Sequence, residues 1–406
     1  MGMNEEALEY HRGESGRAGK IGTEILTSVE GKKDLALAYS PGVAVPCLEI
    51  EKNPDAAYEY TGKGNRVAVI SNGTAVLGLG NIGSLAGKPV MEGKALLFKH
   101  FGGIDAVDVE IDSEDVDEIV RTIELISGTY GGINLEDFKA PECFEIEEKL
   151  KELLGIPVFH DDQHGTAVVV GAGLLNALKI AGKSIGEVRV VINGAGAAGV
   201  AIGKMLFNLG VERENLVMCD SKGVVYVGRE ADESKKEFAV KSEKRSLNEV
   251  VVGADVFIGV SKAGLLTVDM LKSMSKDPVV FALANPDPEI DWDLARKTRE
   301  DVIMATGRSD FSNQVNNVLA FPGIFRGALD CRAREINEEM KVAAVEALAG
   351  LVDEPTKDRF IVSPFEKRIV TEVALGVAGA AVDSGVALNG FDLDGYKGKL
   401  EDEFLK

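Results

Sequence analysis

Apolar and polar positions along the chain fall into two textures. From Val188 onward, the apolar run VRVVI leads into a Gly-rich turn, a helical stretch to about Asn208 and a second apolar run, LVMCD. Continuous apolar runs bounded by turns and separated by a helix predict the β-α-β unit of a parallel sheet. Three more buried strands are predicted at Asp255 to Val260, Pro278 to Leu283 and Asp301 to Ala305. Each is followed by small or polar residues, where a doubly wound sheet presents its carboxyl ends to a ligand. The upstream region has shorter strands at Arg66 to Ile70 and Val107 to Ile111, and helical patterns at Pro89 to Phe101, Asp115 to Ile126 and Pro141 to Leu154. Near the C-terminus, the segments Glu335 to Leu351 and Ile369 to Val386 read as helices that pack back against the core. The predicted class is α/β: an N-terminal α/β substrate or catalytic domain over 1–163, then a Rossmann-like doubly wound domain over 164–406 that includes the C-terminal helices.

Charge narrows the list of partners. With 45 Lys+Arg against 66 Asp+Glu in 406 residues, the net charge is −21, which repels a phosphate backbone or an anionic membrane. A small anionic ligand then needs a locally positive pocket or a metal ion. The apolar stretches Thr166 to Leu178 and Val373 to Leu388 fall short of the ~20 residues that span a bilayer. The opening MGMNEEALEYHRGE is acidic, unlike a secretory signal. Cys47, Cys143, Cys219 and Cys331 stand alone and read as reduced thiols. The expectation is a cytoplasmic protein with no nucleic-acid or membrane partner, and a homodimer by the frequency of twofold assemblies.

The clearest chemical motif is GAGAAG: Gly194, Ala195, Gly196, Ala197, Ala198 and Gly199, between a predicted strand and a predicted helix. Gly194 permits the tight turn, Gly196 lets the backbone approach a pyrophosphate, and Gly199 allows close helix packing, with the helix N-terminus facing the phosphates. Asp220 follows 21 residues after Gly199, at the end of the next strand, where an acid accepts a hydrogen bond from the adenosine ribose and favours NAD. Lys222 is placed to meet a 2′-phosphate, so NADP stays open. A second match, GLGNIG at Gly78 to Gly83, fails on context, because Gly87 and Pro89 come where the helix should already run. It reads as a compact turn.

Two acidic pairs end apolar runs: Glu136 and Asp137 in GGINLEDF, and Asp161 and Asp162 in IPVFHDDQHGT. Adjacent carboxylates repel unless something positive sits between them, and oxygen ligands suit Mg²⁺ or Mn²⁺ better than zinc. Spacing alone does not choose between such a site and solvated acidic loops. His160 and His164 read as ordinary polar loop residues, since VFHDD looks like a strand end rather than a helix.

The segments LALAYSPGVA, VMEGKALLFKHFGGIDA, INLEDF, HDDQHGTA, INGAGAAG, ALANPDPE and NQVNNVLAFPGIFRGALD occur in this order between Leu35 and Asp330. Together they closely resemble the malic enzymes of the short prokaryotic type. The resemblance implies oxidative decarboxylation of L-malate to pyruvate and CO₂, with NAD⁺ or NADP⁺ reduced and Mg²⁺ or Mn²⁺ required. It further implies that Glu136, Asp137 and Asp162 hold the metal, that Lys94 is the general base for the C2 hydroxyl, and that Tyr39 is the acid that protonates C3 of enolpyruvate. Asp161 is implied to tune Lys94 or the substrate hydroxyl. Asn285 and Asn317 match positions whose amides grip substrate or nicotinamide, with Asn316 a weaker candidate. A basic Lys94 calls for a pKa lowered by burial or nearby cations, with Lys99 and the metal as candidates. One departure stands out: the arginine by which larger eukaryotic members hold a malate carboxylate aligns with Ala75. Lys94, Lys99, the backbone of the Gly78 to Gly83 turn or a second subunit is left to replace it. Related lyase chemistry, malolactic or oxaloacetate-decarboxylating, needs the same metal and carboxylates; a non-catalytic sensor of dinucleotide or dicarboxylate is the reading from another class. The chain ends soon after the cofactor domain, so the acyltransferase-like extension of some bacterial members is not expected.

Overall fold

The computed structural model of the chain describes residues 3–13, 18–76 and 78–406. Among the described residues, ten strands form two sheets. In the first, β1 (Arg66–Ser71), β2 (Asp105–Glu110), β3 (Gly132–Leu135) and β4 (Val158–His160) lie parallel in the order β2-β1-β3-β4. The second contains β5 (Val190–Asn193), β6 (Leu216–Asp220), β7 (Gly223–Val224), β8 (Val256–Gly259), β9 (Val279–Ala282) and β10 (Ile303–Thr306) in the order β10-β9-β8-β5-β6-β7. Only the β6–β7 pair is antiparallel. Every residue of β5, β8, β9 and β10 is buried, because helices cover both faces of a parallel sheet; their sequences are therefore runs rather than alternations. The strand order reverses at β5, which pairs with β6 on one side and β8 on the other. That switch point is where open α/β sheets bind ligands.

The helix Asp161–Ala181 follows β4 directly, and most of it is buried. It is long and apolar enough to cross a membrane by length and composition, yet 67% of its most apolar window is buried inside the protein, as expected of a core helix. The helices Glu338–Gly350 and Arg368–Asp383 pack on each other, and the latter packs on Phe321–Asp330, so the C-terminal segments do fold back. Gly323 and Gly327 make this possible, since a side chain at either would strike Val373 or the Ala374 and Val377 backbone and side chains.

The structure corrects one expectation in the first domain. The helix Ser84–Gly102 begins immediately after the Gly78 to Gly83 turn and runs straight through Gly87 and Pro89. A Cβ added at Gly87 would lie 3.6 Å from the Gly73 Cα, an ordinary van der Waals contact, so a glycine in the first turn does not interrupt the helix. Pro89 sits in the second turn and forfeits a single amide bond, while the carbonyl of Pro89 accepts from Lys20 Nζ at 2.6 Å. Strand β3 was legible only as the apolar run before the first acidic pair, because four residues carry too little pattern to separate strand from helix.

Candidate active site

Strands β3 and β4 are neighbours in register, with Leu135 opposite His160. Their carboxyl ends therefore bring Glu136 and Asp137 alongside Asp161 and Asp162. Asp137 adopts a left-handed backbone, φ 56°, which turns its amide to donate to Asp162 Oδ2 at 2.8 Å. One oxygen each from Glu136, Asp137 and Asp162 lies within 4.8 Å of the others. Burial first, and then the neighbouring carboxylates, push Glu136 to about 7, Asp137 to about 9 and Asp162 to about 6. Buried Asp137 Oδ2 has no hydrogen-bond partner. An orphaned oxygen among three mutually repelling carboxylates, Glu136 and Asp137 buried and Asp162 half-buried, fits a hard divalent cation.

The helix Ser84–Gly102 inserts Lys94 from the other side. Its Nζ is 2.9 Å from Glu136 Oε1, forms an ion pair with Asp161, and lies 4.3 Å from the centroid of the Phe321 ring. Asn317 Nδ2 donates to Asp161 Oδ2 at 2.6 Å. Burial works to lower the Lys94 ammonium, but Asp161 and Glu136 outweigh it and hold it well above the usual lysine range. That reverses the expected depression. Lys99 plays no part in it, being half exposed and bonded to Asp105 at 2.8 Å.

A pH dependence follows. Carboxyls whose folded pKa is raised bind more protons folded than unfolded, so their contribution to stability is full below the ordinary carboxyl range and is lost as pH rises through the folded values. In chelator, the thermal midpoint should fall from about pH 5 to about pH 9. Added Mn²⁺ should raise it more at about pH 8 than at about pH 6, where the ion must displace protons. Equal shifts at both pH values would argue against a metal among these carboxylates.

Behind the cluster, His160 and His164 are not loop residues. His160 ends β4 and is fully buried; His164 lies in the first turn of the following helix. Burial drives both imidazoles down to about 4. His164 Nε2 lies 2.8 Å from Glu147 Oε1, and Glu147 also accepts from the His160 amide and Gln163 Nε2, both at 3.3 Å, and pairs with Lys151 at 2.7 Å. Burial opposes its charge, but His164 and Lys151 hold it well below the usual carboxylate range. Glu147 thus clamps the turn that carries Asp161 and Asp162. Nor is Gly165 incidental, since any Cβ there would overlap Asp161 Oδ1.

In the second sheet, Gly194 to Gly199 joins β5 to the helix Ala197–Asn208. Gly194 has φ 127°, and a Cβ on Gly199 would overlap the Gly194 carbonyl oxygen, so the turn closes as tightly as the motif requires. Gly199→Val should abolish dinucleotide binding, measured by calorimetric titration, while leaving Mn²⁺ binding in place; retained cofactor affinity would mean that this turn does not carry the phosphates. Asp220 is not free to meet a ribose: Arg229 Nη2 grips both its oxygens, at 2.6 and 2.5 Å, and also holds Asp220 below the usual carboxylate range against the effect of burial. Asn285 follows β9, its amide donating to the Leu283 carbonyl at 3.3 Å. Buried Glu289 accepts from the amides of Ser261 at 3.1 Å and Ala284 at 3.0 Å, and so ties together the loops after β8 and β9.

Comparison with known proteins agrees with this architecture. Residues 18–151 match the family model for the malic enzyme N-terminal domain, and residues 163–385 the one for the malic enzyme NAD binding domain. The chain belongs to the malic enzyme family. It is 56% identical to the bifunctional malic/malolactic enzyme of Bacillus subtilis, over 95% of each chain. It is also 53% identical to the NADP-dependent malic enzyme of Salmonella typhimurium, spanning 56% of that protein's length. The chain thus covers about half of some curated relatives and nearly all of others. The crystal structure of malic enzyme from Pyrococcus horikoshii superposes with a TM-score of 0.94 at 43% identity, covering 99% of this chain and 95% of that one. The fold is that of the malic enzymes, and its second domain is of the nicotinamide-binding type.

Within this malic enzyme fold the sequence-derived residues separate into groups. Lys94, Glu136, Asp137, Asp161, Asp162 and Asn317 converge on one buried cluster. Asn316 instead caps its own turn, accepting from the Val318 amide at 3.1 Å. Ala75 donates its amide to the Asp137 carbonyl at 2.9 Å, and its methyl side chain offers no charge to a carboxylate. Tyr39 stands apart: it caps the helix Lys32–Ala38 and is 72% exposed. Glu147, Gly165, Arg229 and Glu289 were missed. A glutamate on an amphipathic helix and a glycine four residues after an aspartate carry no local signal, because their roles arise from packing between elements.

Proposed function

We propose that this malic enzyme oxidises L-malate to pyruvate and CO₂ with reduction of NAD⁺ or NADP⁺. The observation that carries the reading is a buried ammonium, Lys94, set against Asp161 and Glu136 beside three clustered carboxylates. Glu136, Asp137 and Asp162 would hold Mg²⁺ or Mn²⁺. A divalent cation there supplies Lewis-acid stabilisation of charge on the substrate oxygen. Lys94 takes the C2 hydroxyl proton as hydride leaves for the nicotinamide, and Asp161, fixed by Asn317, orients it. Because Lys94 serves as a base only when neutral, the carboxylate field that keeps it protonated has to be offset in the loaded site. Tyr39 returns a proton to C3. Asn285, which follows β9, would contact the nicotinamide or the substrate. Arg229 offsets the charge of Asp220 at the end of β6, and with Lys222 close by the pair would accept a 2′-phosphate. The relatives include both NADP-dependent and NAD-dependent malic enzymes.

The test is the stoichiometry of reduced cofactor and pyruvate from L-malate and Mn²⁺, in parallel with NAD⁺ and NADP⁺. Equal amounts are expected, and the faster rate identifies the preferred cofactor. Lactate without reduced cofactor would instead favour the malolactic chemistry named for the Bacillus subtilis relative. Asp162→Asn should raise the Mn²⁺ concentration for half-maximal activity about tenfold or more; an unchanged requirement would remove Asp162 from the ligand set.

A further inference from the structure

A buried histidine stands behind the carboxylate cluster with nothing to bond to. His160 ends β4 and is fully buried. Leu135 lies opposite it in register, and the Phe138 ring meets the imidazole edge-on with centroids 6.3 Å apart. Among the described residues, neither nitrogen of the ring has a hydrogen-bond partner. An imidazole always carries at least one N–H, and a buried donor without an acceptor is destabilising. Phenylalanine or leucine would fill the same space without that cost, so packing does not account for a histidine at this position.

One carboxylate is within reach. His160 Nδ1 lies 3.8 Å from Asp162 Oδ2, about 1 Å or less beyond hydrogen-bond range. Glu147, the other carboxylate on this side, is already engaged: its oxygens take His164 Nε2, Gln163 Nε2, the His160 amide and Lys151. Through the His160 amide, the same set fixes the backbone from which the imidazole projects. Asp162 Oδ2, by contrast, has one hydrogen-bond donor among the described residues, the Asp137 amide at 2.8 Å, and a carboxylate oxygen has room for two.

We propose that His160 is a positioning residue for the metal site, its Nδ1–H donating to Asp162 Oδ2 in the metal-loaded enzyme. Two donors on one oxygen, the Asp137 amide and the imidazole, then fix the rotation of the Asp162 carboxylate. The inference deepens the reading of Glu136, Asp137 and Asp162 as the ligand set and rests on it. Hydrogen bonds from behind a ligand hold its orientation, and losing one typically weakens metal binding by about 10- to 100-fold.

Mn²⁺ binding, read directly from the electron paramagnetic resonance of the free ion, is compared in the wild type, His160→Phe and His160→Asn. Phenylalanine keeps a ring and removes the donor, whereas asparagine keeps an N–H near the Nδ1 position. The Mn²⁺ Kd is expected to rise about tenfold or more in His160→Phe and to return to within about threefold of wild type in His160→Asn. NAD⁺ affinity should be unchanged in both, because the cofactor turn lies on the other sheet. Equal Mn²⁺ affinity in wild type and His160→Phe overturns the proposal. So does equal weakening in both variants with NAD⁺ affinity retained, since a lost ring contact and not a lost donor then explains the effect. Asp162→Asn, measured alongside, separates the two failures: unchanged Mn²⁺ affinity there removes the ligand set itself, while weakening there with a silent His160→Phe removes only His160. Should His160→Phe not fold, the wild type answers alone. The chain has four histidines, so ¹⁵N-histidine labelling with Mg²⁺ bound resolves each ring in long-range ¹H–¹⁵N spectra. The His160 proton is expected on Nδ1, and a proton found only on Nε2 overturns the proposal.

Discussion

Lys94→Ala is expected to lose malate oxidation by about 10²- to 10⁴-fold, the usual contribution of a positioned acid or base, with NAD⁺ affinity unchanged within about twofold because the cofactor turn lies on the other sheet. Steady-state kinetics at saturating Mn²⁺ and calorimetric titration of the cofactor measure the two halves separately. The substitution also removes a positive charge from among four carboxylates, so a second variant is needed to separate charge from proton transfer. Lys94→Arg keeps the cation, which cannot act as a base at neutral pH, and should be as inactive as the alanine variant while holding the metal-free fold better. Turnover near wild type in either variant would take Lys94 out of the chemistry.

Asp330→Ala is expected to cost about 3–5 kcal/mol of stability, the range for breaking a buried ion pair from one side. Arg326 is 6% exposed and forks onto Asp330 at 2.9 and 2.6 Å. The same guanidinium donates to Asn65 Oδ1 at 2.7 Å, before β1, and Tyr396 on the C-terminal helix Leu393–Phe404 donates to Asp330 at 2.9 Å. One pair therefore joins the start of the first sheet, the helix Phe321–Asp330 and the C-terminus. That helix also supplies Phe321 beneath Lys94, packed on Phe98 with ring centroids 4.6 Å apart. The loss should appear as a lower denaturant midpoint at pH 7 with an unchanged slope. A change below about 1 kcal/mol would mean that Arg326 finds water or another acceptor and that the pair adds little.

What the chain determines by itself is local or periodic. Continuous apolar runs mark β5, β6, β8, β9 and β10 because burial on both faces leaves no room for a polar alternate. GAGAAG is readable because each glycine answers a constraint inside one turn, and the acidic pairs are readable as pairs. Ordered motifs from Leu35 to Asp330 carry the family resemblance. The fold decides what depends on elements far apart in sequence. Only the β3–β4 register puts Glu136 and Asp137 beside Asp161 and Asp162, and only the crossing of Ser84–Gly102 sets Lys94 among them and raises its proton affinity. Glu147, on another helix, pairs with the His164 imidazole and accepts from the His160 amide, which holds that buried turn in place. Asp220 meets Arg229 because a hairpin turns back on β6. Tyr39 is left 72% exposed at the end of the helix Lys32–Ala38, away from the cluster. In the buried cluster the deciding energy is a contact between groups that share no window of sequence, and tertiary packing alone settles which charges face each other and which are left for a ligand.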